Sequence, residues 1–503
     1  MEHYFDIVII GGGINGCGIA ADAAMRGLKT LLIEKDDLAS KTSSNSSKLI
    51  HGGLRYLEQY DFALVKKALS ERQKLLQIAP HLVYPIPLVL PYKKQLRPAW
   101  LLRIGLFIYD HLSRKNKLPN SQLIRRNSNT HLFAPLTTDF QKGFLFYDCM
   151  TDDARLTISN ALQAKHYGAK ISTHTELLAG KAHNAQWQLT IQTKNKQPLN
   201  INTRVVINTA GPWVEEVNDR LEIATHYHLS LIKGSHILIP KLYEGENGYL
   251  LQNHDHRVVF VLPYHDQTMV GTTEIKLTTP PQDLQISPEE ISYLLQIINT
   301  YFNKTMTSQD ILLSWSGVRP LIEHKNETPQ ELSRDYALHY AKNPAPSLVV
   351  YGGKITTYRQ LACDVVNELK AIFSNLPTSQ TDKIALPGSQ TSKGISFAVY
   401  AAQLNEKYLW LNPTIKNRLL KSYGTCLETI LAHCNTLNDL GQHFGHGLYQ
   451  AEVDYLINQE WAESSNDILW RRTKLGLEFS AEEEQALSEY MSTYLHQSQP
   501  INS

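Results

Sequence analysis

The sequence predicts an α/β fold with an all-α appendix. A Rossmann-like nucleotide-binding domain carries an inserted, mostly antiparallel β domain, and a helical domain follows at the C-terminus. Three observations point there. A strand, glycine turn, helix, strand and terminal acid open the chain over 6–34. Short β runs separated by turn residues fill 226–273. Beyond Phe397 the pattern is helical and poor in glycine. At 503 residues the chain exceeds one ordinary core, so two or three domains are expected.

In the opening unit, 5–10 is a β-branched apolar run and reads as a buried parallel strand. It enters Gly11-Gly12-Gly13-Ile14-Asn15-Gly16, and a helix over 14–26 closes at Gly27. Gly11 suits the tight turn, Gly13 the approach of a pyrophosphate, and Gly16 close helix–strand packing. The helix N-terminus offers N–H groups and partial positive charge to phosphates. Glu34 ends the second strand, where a carboxylate would accept hydrogen bonds from a ribose and repel a 2′-phosphate. FAD or NAD is therefore expected over NADP.

Lys+Arg 49 against Asp+Glu 48 gives no global pull towards nucleic acid, so any attraction to an anionic membrane surface must come from a local patch. Cys17, Cys149, Cys363, Cys426 and Cys434 form no CxxC pair, which favours neither a zinc site nor a disulfide framework and fits a reducing cytoplasm. The start of the chain lacks a signal-peptide pattern, and no apolar run reaches the roughly 20 residues of a membrane span.

After Glu34 comes a stretch of small hydroxyl residues, a lysine and a Gly-Gly pair, with Thr42, Ser43, Ser46, Ser47, Lys48, Leu49, His51 and Gly52. Composition alone allows a flexible linker. Its place inside the nucleotide domain favours a segment wrapping a flavin closely. GGGINGCGIAADAAMRGL followed by TSSNSSKLIHGGLRYLEQYDFALV closely resembles the respiratory, FAD-dependent glycerol-3-phosphate dehydrogenases, members of the amino-acid-oxidase-like flavoproteins with a glutathione-reductase-type FAD domain. The later KGSH, GTTE, SGVRP and GGKITTYR stretches continue the resemblance over nearly the whole chain.

Further along, 61–79 reads as a helix capped by Asp61 and stopped by Pro80, followed by a proline-punctuated apolar run over 82–91. The segment 96–117 concentrates Trp100, Leu101, Ile104 and Phe107 among Arg97, Arg103, Arg114, Lys115 and Lys117. It suits either an interfacial membrane helix or a core helix with a solvated basic end. A helix is expected from about Tyr147 to Gly168, with Asp152 and Asp153 favouring its N-terminus, and strands over 169–175, 187–193 and 204–208. The last enters Ala210-Gly211-Pro212-Trp213, which the resemblance implies is a second FAD contact at Ala210, Gly211 and Trp213. Ser287-Pro288-Glu289-Glu290 is a capping box. A strand over 311–316 is followed by Gly317-Val318-Arg319-Pro320. The strand 347–351 meets a second glycine turn, in which Gly353, Lys354, Ile355 and Thr356 would face the flavin. Near the end, Arg471, Arg472 and Lys474 read as a solvated helix end, with a membrane or partner patch as the alternative.

The expected division is 1–375 for the oxidoreductase region and 386–503 for the helical domain. Within the former, 1–80, 147–215 and 320–375 form the nucleotide domain, and 81–146 and 216–319 the cap.

The resemblance implies oxidation of sn-glycerol 3-phosphate to dihydroxyacetone phosphate, with non-covalent FAD and electrons passed to a membrane quinone. It further implies a cytoplasmic enzyme peripheral on the cytoplasmic face of the inner membrane, and leaves a homodimer open. A phosphate dianion suits planar guanidinium groups, and the matching HGGLRY and SGVRP motifs make Arg55 and Arg319 the candidate clamp, with a structural salt bridge as the alternative for each alone. His236 is the first candidate for the base, against the alternative of a buried structural histidine. Tyr56, Thr272 and Lys354 are expected substrate contacts, and His51 a flavin neighbour, on the resemblance alone. An oxidase using O2 and a non-catalytic flavin redox sensor are the alternatives. A nicotinamide dehydrogenase would leave the flavin-type segments unused.

Overall fold

The computed structural model describes residues 4–57, 60–93, 98–113, 116–255, 257–280, 284–323, 335–392 and 395–498. Strand Tyr4–Ile10 lies parallel between Thr30–Ile33 and Leu199–Asn208. Ser347–Tyr351 extends the sheet on one side and Lys170–Ser172 on the other. Ile7, Val8, Ile9, Val206, Ile207 and Leu348 are fully buried, because helices and a hairpin cover both faces. Helix Ile14–Met25 crosses the sheet and packs against Asp153–His166 and Tyr358–Glu368. Its alanines keep the side-chain layer thin, so the three helices approach closely.

A second sheet of ten strands among the described residues forms the cap. Its axis is the long strand Leu229–Pro240, antiparallel to both Gln267–Gly271 and Leu313–Ile322. Helix Pro288–Tyr301 starts at the expected capping box, with Ser287 and Glu290 exchanging hydrogen bonds.

Two expectations are corrected here. Residues 142–151 form a strand, not the start of a helix; they pair with Val83–Pro91, Gln122–Arg125 and Leu49–Ile50. The helix begins only at Asp153, with Asp152 as its cap. Both faces of this strand are covered, so KGFLFYDCMT lacks a polar alternation that would have marked it. Arg319 lies within a continuous strand opposite Ile232, not in a turn after it. The sheets therefore part elsewhere than the expected division: 49–50, 147–151 and 320–322 hydrogen-bond into the cap sheet.

Helix Ala99–His111 buries Leu102, Leu106 and Tyr109 against the cap and leaves Trp100, Leu101, Ile104 and Phe107 exposed. Arg103 donates to the Ser121 carbonyl. Leu96, Arg97, Arg114 and Lys115 lie outside the described residues. No helix among the described residues is long and apolar enough to cross a membrane.

The last domain packs helices Phe397–Lys407, Pro413–Tyr423, Gln450–Glu460 and Ala481–Ser498 around their own core. Arg471, Arg472 and Lys474 are buried, which overturns both readings from sequence. Arg471 and Arg472 converge on Asp37 of the nucleotide domain, and Arg155 pairs with Glu460. These buried ions are kept because each finds an opposite charge with several hydrogen bonds.

Candidate active site

One cavity of about 890 Å³ runs from the first glycine turn to the cap sheet. At the turn, Gly11 has φ +109°, and a Cβ there would lie 2.7 Å from the Thr209 carbonyl oxygen. A Cβ on Gly16 would lie 2.0 Å from the Gly11 oxygen, so Gly16 lets the turn seat on its helix without itself lining the cavity. Gly13 faces the cavity beside Ser43, whose hydroxyl accepts from the Ile14 N–H at 2.9 Å. Glu34 accepts from the N–H groups of Gly12 (2.6 Å) and Asp36 (2.9 Å). Burial pushes its carboxyl above the usual range, and these two donors oppose the shift.

The second glycine turn meets the first through Asn15, whose Nδ2 donates to the Gly352 carbonyl at 3.2 Å. Gly353 has φ +101°, and a Cβ there would sit 2.8 Å from that nitrogen. Asn15, Gly353, Ile355 and Thr356 line the cavity with Leu49 and His51. The His51 N–H donates to Thr356 Oγ1 at 3.3 Å, which ties the Ser-rich segment to the second helix N-terminus. Thr42, Ser43, Ser46 and Ser47 form one wall and Ala210, Gly211 and Trp213 another.

Lys48 and Gly52 are not on the wall. The Lys48 ammonium turns away to Asp153, 2.8 Å from both carboxylate oxygens, while Ser46 donates to the same carboxylate. Asp153 is thus more than a first-turn acid: it folds the 44–48 segment around one buried ion pair. Gly52 donates to the Tyr109 hydroxyl at 2.8 Å.

At the cap end stand Arg55, Tyr56, Thr272, Arg319 and Lys354. Arg319 Nη2 donates to Thr272 Oγ1 at 3.0 Å, and the Lys354 ammonium lies 3.9 Å from the Tyr56 ring centroid. Gly234 makes room for this cluster, since a Cβ there would come within 2.6 Å of Arg319 and Thr272. Gly53, at φ +78°, does the same for the Tyr56 ring.

His236 does not line the cavity. It lies behind Ser47, with Nε2 3.1 Å from the serine Oγ and its ring stacked on Trp315 at 5.5 Å. Burial, with Arg319 and Lys48 nearby, pushes its pKa down to about 3 and holds the imidazole neutral.

Sequence reasoning missed several wall residues. Lys35, Glu176 and Arg220 border the end near Glu34. Glu274, two residues past Thr272, faces Arg55 at 3.8 Å. Leu101, Ile104 and Ile108 carry the cavity out to helix Ala99–His111. The GTTE motif was the available signal for Glu274.

The residues fit FAD. The cavity is elongated and within the size range of ligand sites. Two glycine turns feed helix N-termini along it, and the buried Asn15 Oδ1 has no hydrogen-bond partner among the described residues.

Comparison with known proteins agrees. The FAD dependent oxidoreductase family matches residues 6–358, and the C-terminal domain of alpha-glycerophosphate oxidase matches 379–499. A glycerol-3-phosphate dehydrogenase of Pseudomonas aeruginosa is 45% identical over 497 residues, covering 98% of this chain and 96% of that protein. The aerobic glycerol-3-phosphate dehydrogenase of Escherichia coli is 41% identical, covering 98% of each. A D-erythritol 1-phosphate dehydrogenase of Brucella abortus is 42% identical, covering 96% of this chain and 97% of that protein. The solved glycerol-3-phosphate dehydrogenase of Bacillus halodurans, complexed with FAD, shares the fold with a TM-score of 0.76 at 23% identity, covering 98% and 95%. With both family matches spanning almost its whole length, the chain is an enzyme of the FAD-dependent oxidoreductase family, in the branch that holds the glycerol-3-phosphate dehydrogenases.

Proposed function

We propose that the enzyme oxidises sn-glycerol 3-phosphate to dihydroxyacetone phosphate and passes the electrons to a membrane quinone. One observation carries the substrate: Arg319, hydrogen-bonded to Thr272, lines the cofactor cavity together with Arg55 and Lys354. Guanidinium forks and an ammonium suit a phosphate dianion, and the polyol then extends towards the middle of the cavity. The names of the full-length relatives agree.

Bound FAD supplies a hydride acceptor for the carbinol carbon. The protein's part is to orient the phosphate, exclude water and remove the hydroxyl proton. Arg55, Arg319, Lys354, Tyr56 and Thr272 orient. Ser47 takes the hydroxyl proton while passing its own to Nε2 of the neutral His236 behind it. A bound phosphate dianion offsets Arg319, one cause of the low His236 pKa, and so strengthens the imidazole as a base.

Quinone itself, an anionic surface and the cytoplasmic face of the inner membrane rest on the resemblance alone, while helix Ala99–His111 supports a lipid-soluble acceptor and a membrane contact. Its Leu101 and Ile104 face the cavity mouth and are exposed, next to exposed Trp100 and Phe107. An apolar helix edge at the mouth suits entry of a lipid-soluble acceptor. D-erythritol 1-phosphate is the second reading, favoured by the Brucella abortus relative.

The test is anaerobic. Glycerol 3-phosphate is expected to bleach the flavin band near roughly 450 nm, faster than erythritol phosphate, while glycerol leaves it unchanged. A quinone analogue should reoxidise the flavin faster than air. Faster reoxidation by air selects the oxidase, and an unbleached yellow protein overturns the substrate and leaves only the FAD fold.

A further inference from the structure

Ser47 is held on the cavity wall between two residues that bind one carboxylate. Asp153, fully buried at the start of helix Asp153–His166, accepts from the Ser46 N–H at 3.1 Å and from the Ser46 hydroxyl at 2.7 Å. The Lys48 ammonium lies 2.8 Å from both of its oxygens and also donates to the Ser44 carbonyl. Ser46 Oγ in turn accepts from the Lys48 N–H at 3.1 Å. The residues on either side of Ser47 are thus bound to each other and to the same group. Lys48 stands at φ +57°, in the left-handed region, where a residue with a Cβ stays only if its surroundings hold it.

Ser46 shares the wall, but its hydroxyl is committed to Asp153, whereas that of Ser47 meets Nε2 of His236 at 3.1 Å. The segment is joined to the fold on either side. The Thr42 hydroxyl donates to the Val318 carbonyl at 2.8 Å, and the Thr151 N–H to the Lys48 carbonyl at 2.9 Å. Hydroxyl, imidazole and substrate must lie within hydrogen-bond reach for a proton to move, and a misplacement of about 1 Å costs about 100-fold in rate. The carboxylate stays charged. Burial alone would raise its pKa, but Lys48, Lys474 and the hydrogen bond from Ser46 bring it below the usual range.

Resting on the proposed proton transfer through Ser47, we propose that Asp153 is a positioning residue for that step: by holding Ser46 and Lys48, it fixes the Ser47 hydroxyl between the substrate and His236. Asp153 is not on the cavity wall, so its contribution reaches the reaction only through Ser47. Substrate binding, which falls to the residues around the phosphate, is left nearly unchanged.

The experiment measures anaerobic flavin reduction by glycerol 3-phosphate in FAD-loaded variants, with flavin absorbance confirming that each is loaded. Asp153→Asn is expected to slow reduction by about 10- to 100-fold, while the dissociation constant for glycerol 3-phosphate changes by less than about 3-fold. In a Ser47→Ala background the same substitution should add less than about 2-fold, because the hydroxyl it serves is gone. Asn also leaves Lys48 unpaired near His236. Beyond burial and Arg319, Lys48 lowers the His236 pKa and Asp153 opposes it, so charge and position must be separated. The Lys48→Met, Asp153→Leu double variant removes both charges together and leaves no unpaired buried ion, so it also serves where Asp153→Asn fails to fold. It should be as slow as Asp153→Asn. A double variant as fast as wild type assigns the slowing to charge at His236 and overturns the positioning role. An Asp153→Asn enzyme with the wild-type rate overturns it too, as does a loss that multiplies with that of Ser47→Ala. A Ser47→Ala enzyme as fast as wild type instead overturns the underlying proton route.

Discussion

Ser47 Oγ lies 3.1 Å from Nε2 of His236, and of the two it is the serine that lines the cavity. Ser47→Ala and His236→Asn are therefore expected to slow anaerobic flavin reduction to similar extents, each by about 10²- to 10⁴-fold. The double variant should be little worse than either single one, because both act in one proton transfer. Flavin absorbance serves as the check on folding. A Ser47→Ala enzyme that reduces its flavin at the wild-type rate would show that the proton leaves by another route.

His81 gives a pH prediction away from the chemistry. It is buried against Ser389 at 2.7 Å, and burial pushes its pKa from 6.5 down to about 3. Between those values the unfolded chain binds the extra proton and the folded chain does not. Relative to His81→Gln, wild-type stability is therefore constant above about pH 6.5 and falls as pH drops towards 3. The relative loss at pH 5 should reach about 2 kcal/mol, read from denaturant unfolding at pH 7.5 and pH 5. Parallel changes in the two proteins would mean that His81 is protonated in the fold.

Two glycines make a paired test of the first turn. Gly16→Ala forces a Cβ to within 2.0 Å of the Gly11 oxygen, and is expected to yield protein that loses FAD on gel filtration. Gly105, inside helix Ala99–His111 where the cavity reaches that helix, has no neighbouring atom beyond its own turn within 4 Å of where a methyl group would go and lies far from the glycine turns, so Gly105→Ala should keep the flavin. It should also add about 1 kcal/mol of stability through helix propensity.

Trp100 and Phe107 are exposed on that same helix and are not among the cavity residues. The Trp100→Ser, Phe107→Ser double variant is expected to lose co-sedimentation with anionic vesicles while keeping its rate with a soluble dye acceptor. Unchanged sedimentation would move the membrane contact to another face.

What could be read from the sequence was local. The glycine turns, the caps at Asp61 and Ser287, and the cap strands announce themselves within a few residues, because the chemistry of a turn or helix end is set by its immediate neighbours. Asp61, for example, accepts from the Leu64 N–H three residues on, just as its position suggested. The misreadings share the opposite cause. Strand Lys142–Thr151 is buried on both faces and its ladder partners come from three parts of the chain, so it shows no polar alternation. Arg471 resembled a solvated residue because its buried partner, Asp37, lies 434 positions away. His236 was expected at the reacting centre, and the interposed Ser47 emerges only once two distant segments meet.

The grip of Arg471 and Arg472 on Asp37 sets an order of events during synthesis. Asp37 belongs to the loop over the glycine turn, where the Ala39 N–H donates to the Gly12 carbonyl. That loop leaves the ribosome well before the two arginines that hold it, which follow 434 and 435 positions later. A nascent chain with the whole parallel sheet exposed still lacks the counter-charges for Asp37, a carboxylate that burial would otherwise disfavour. Maturation of the nucleotide pocket is thereby coupled to the helical domain: products truncated before Arg471 should retain flavin poorly.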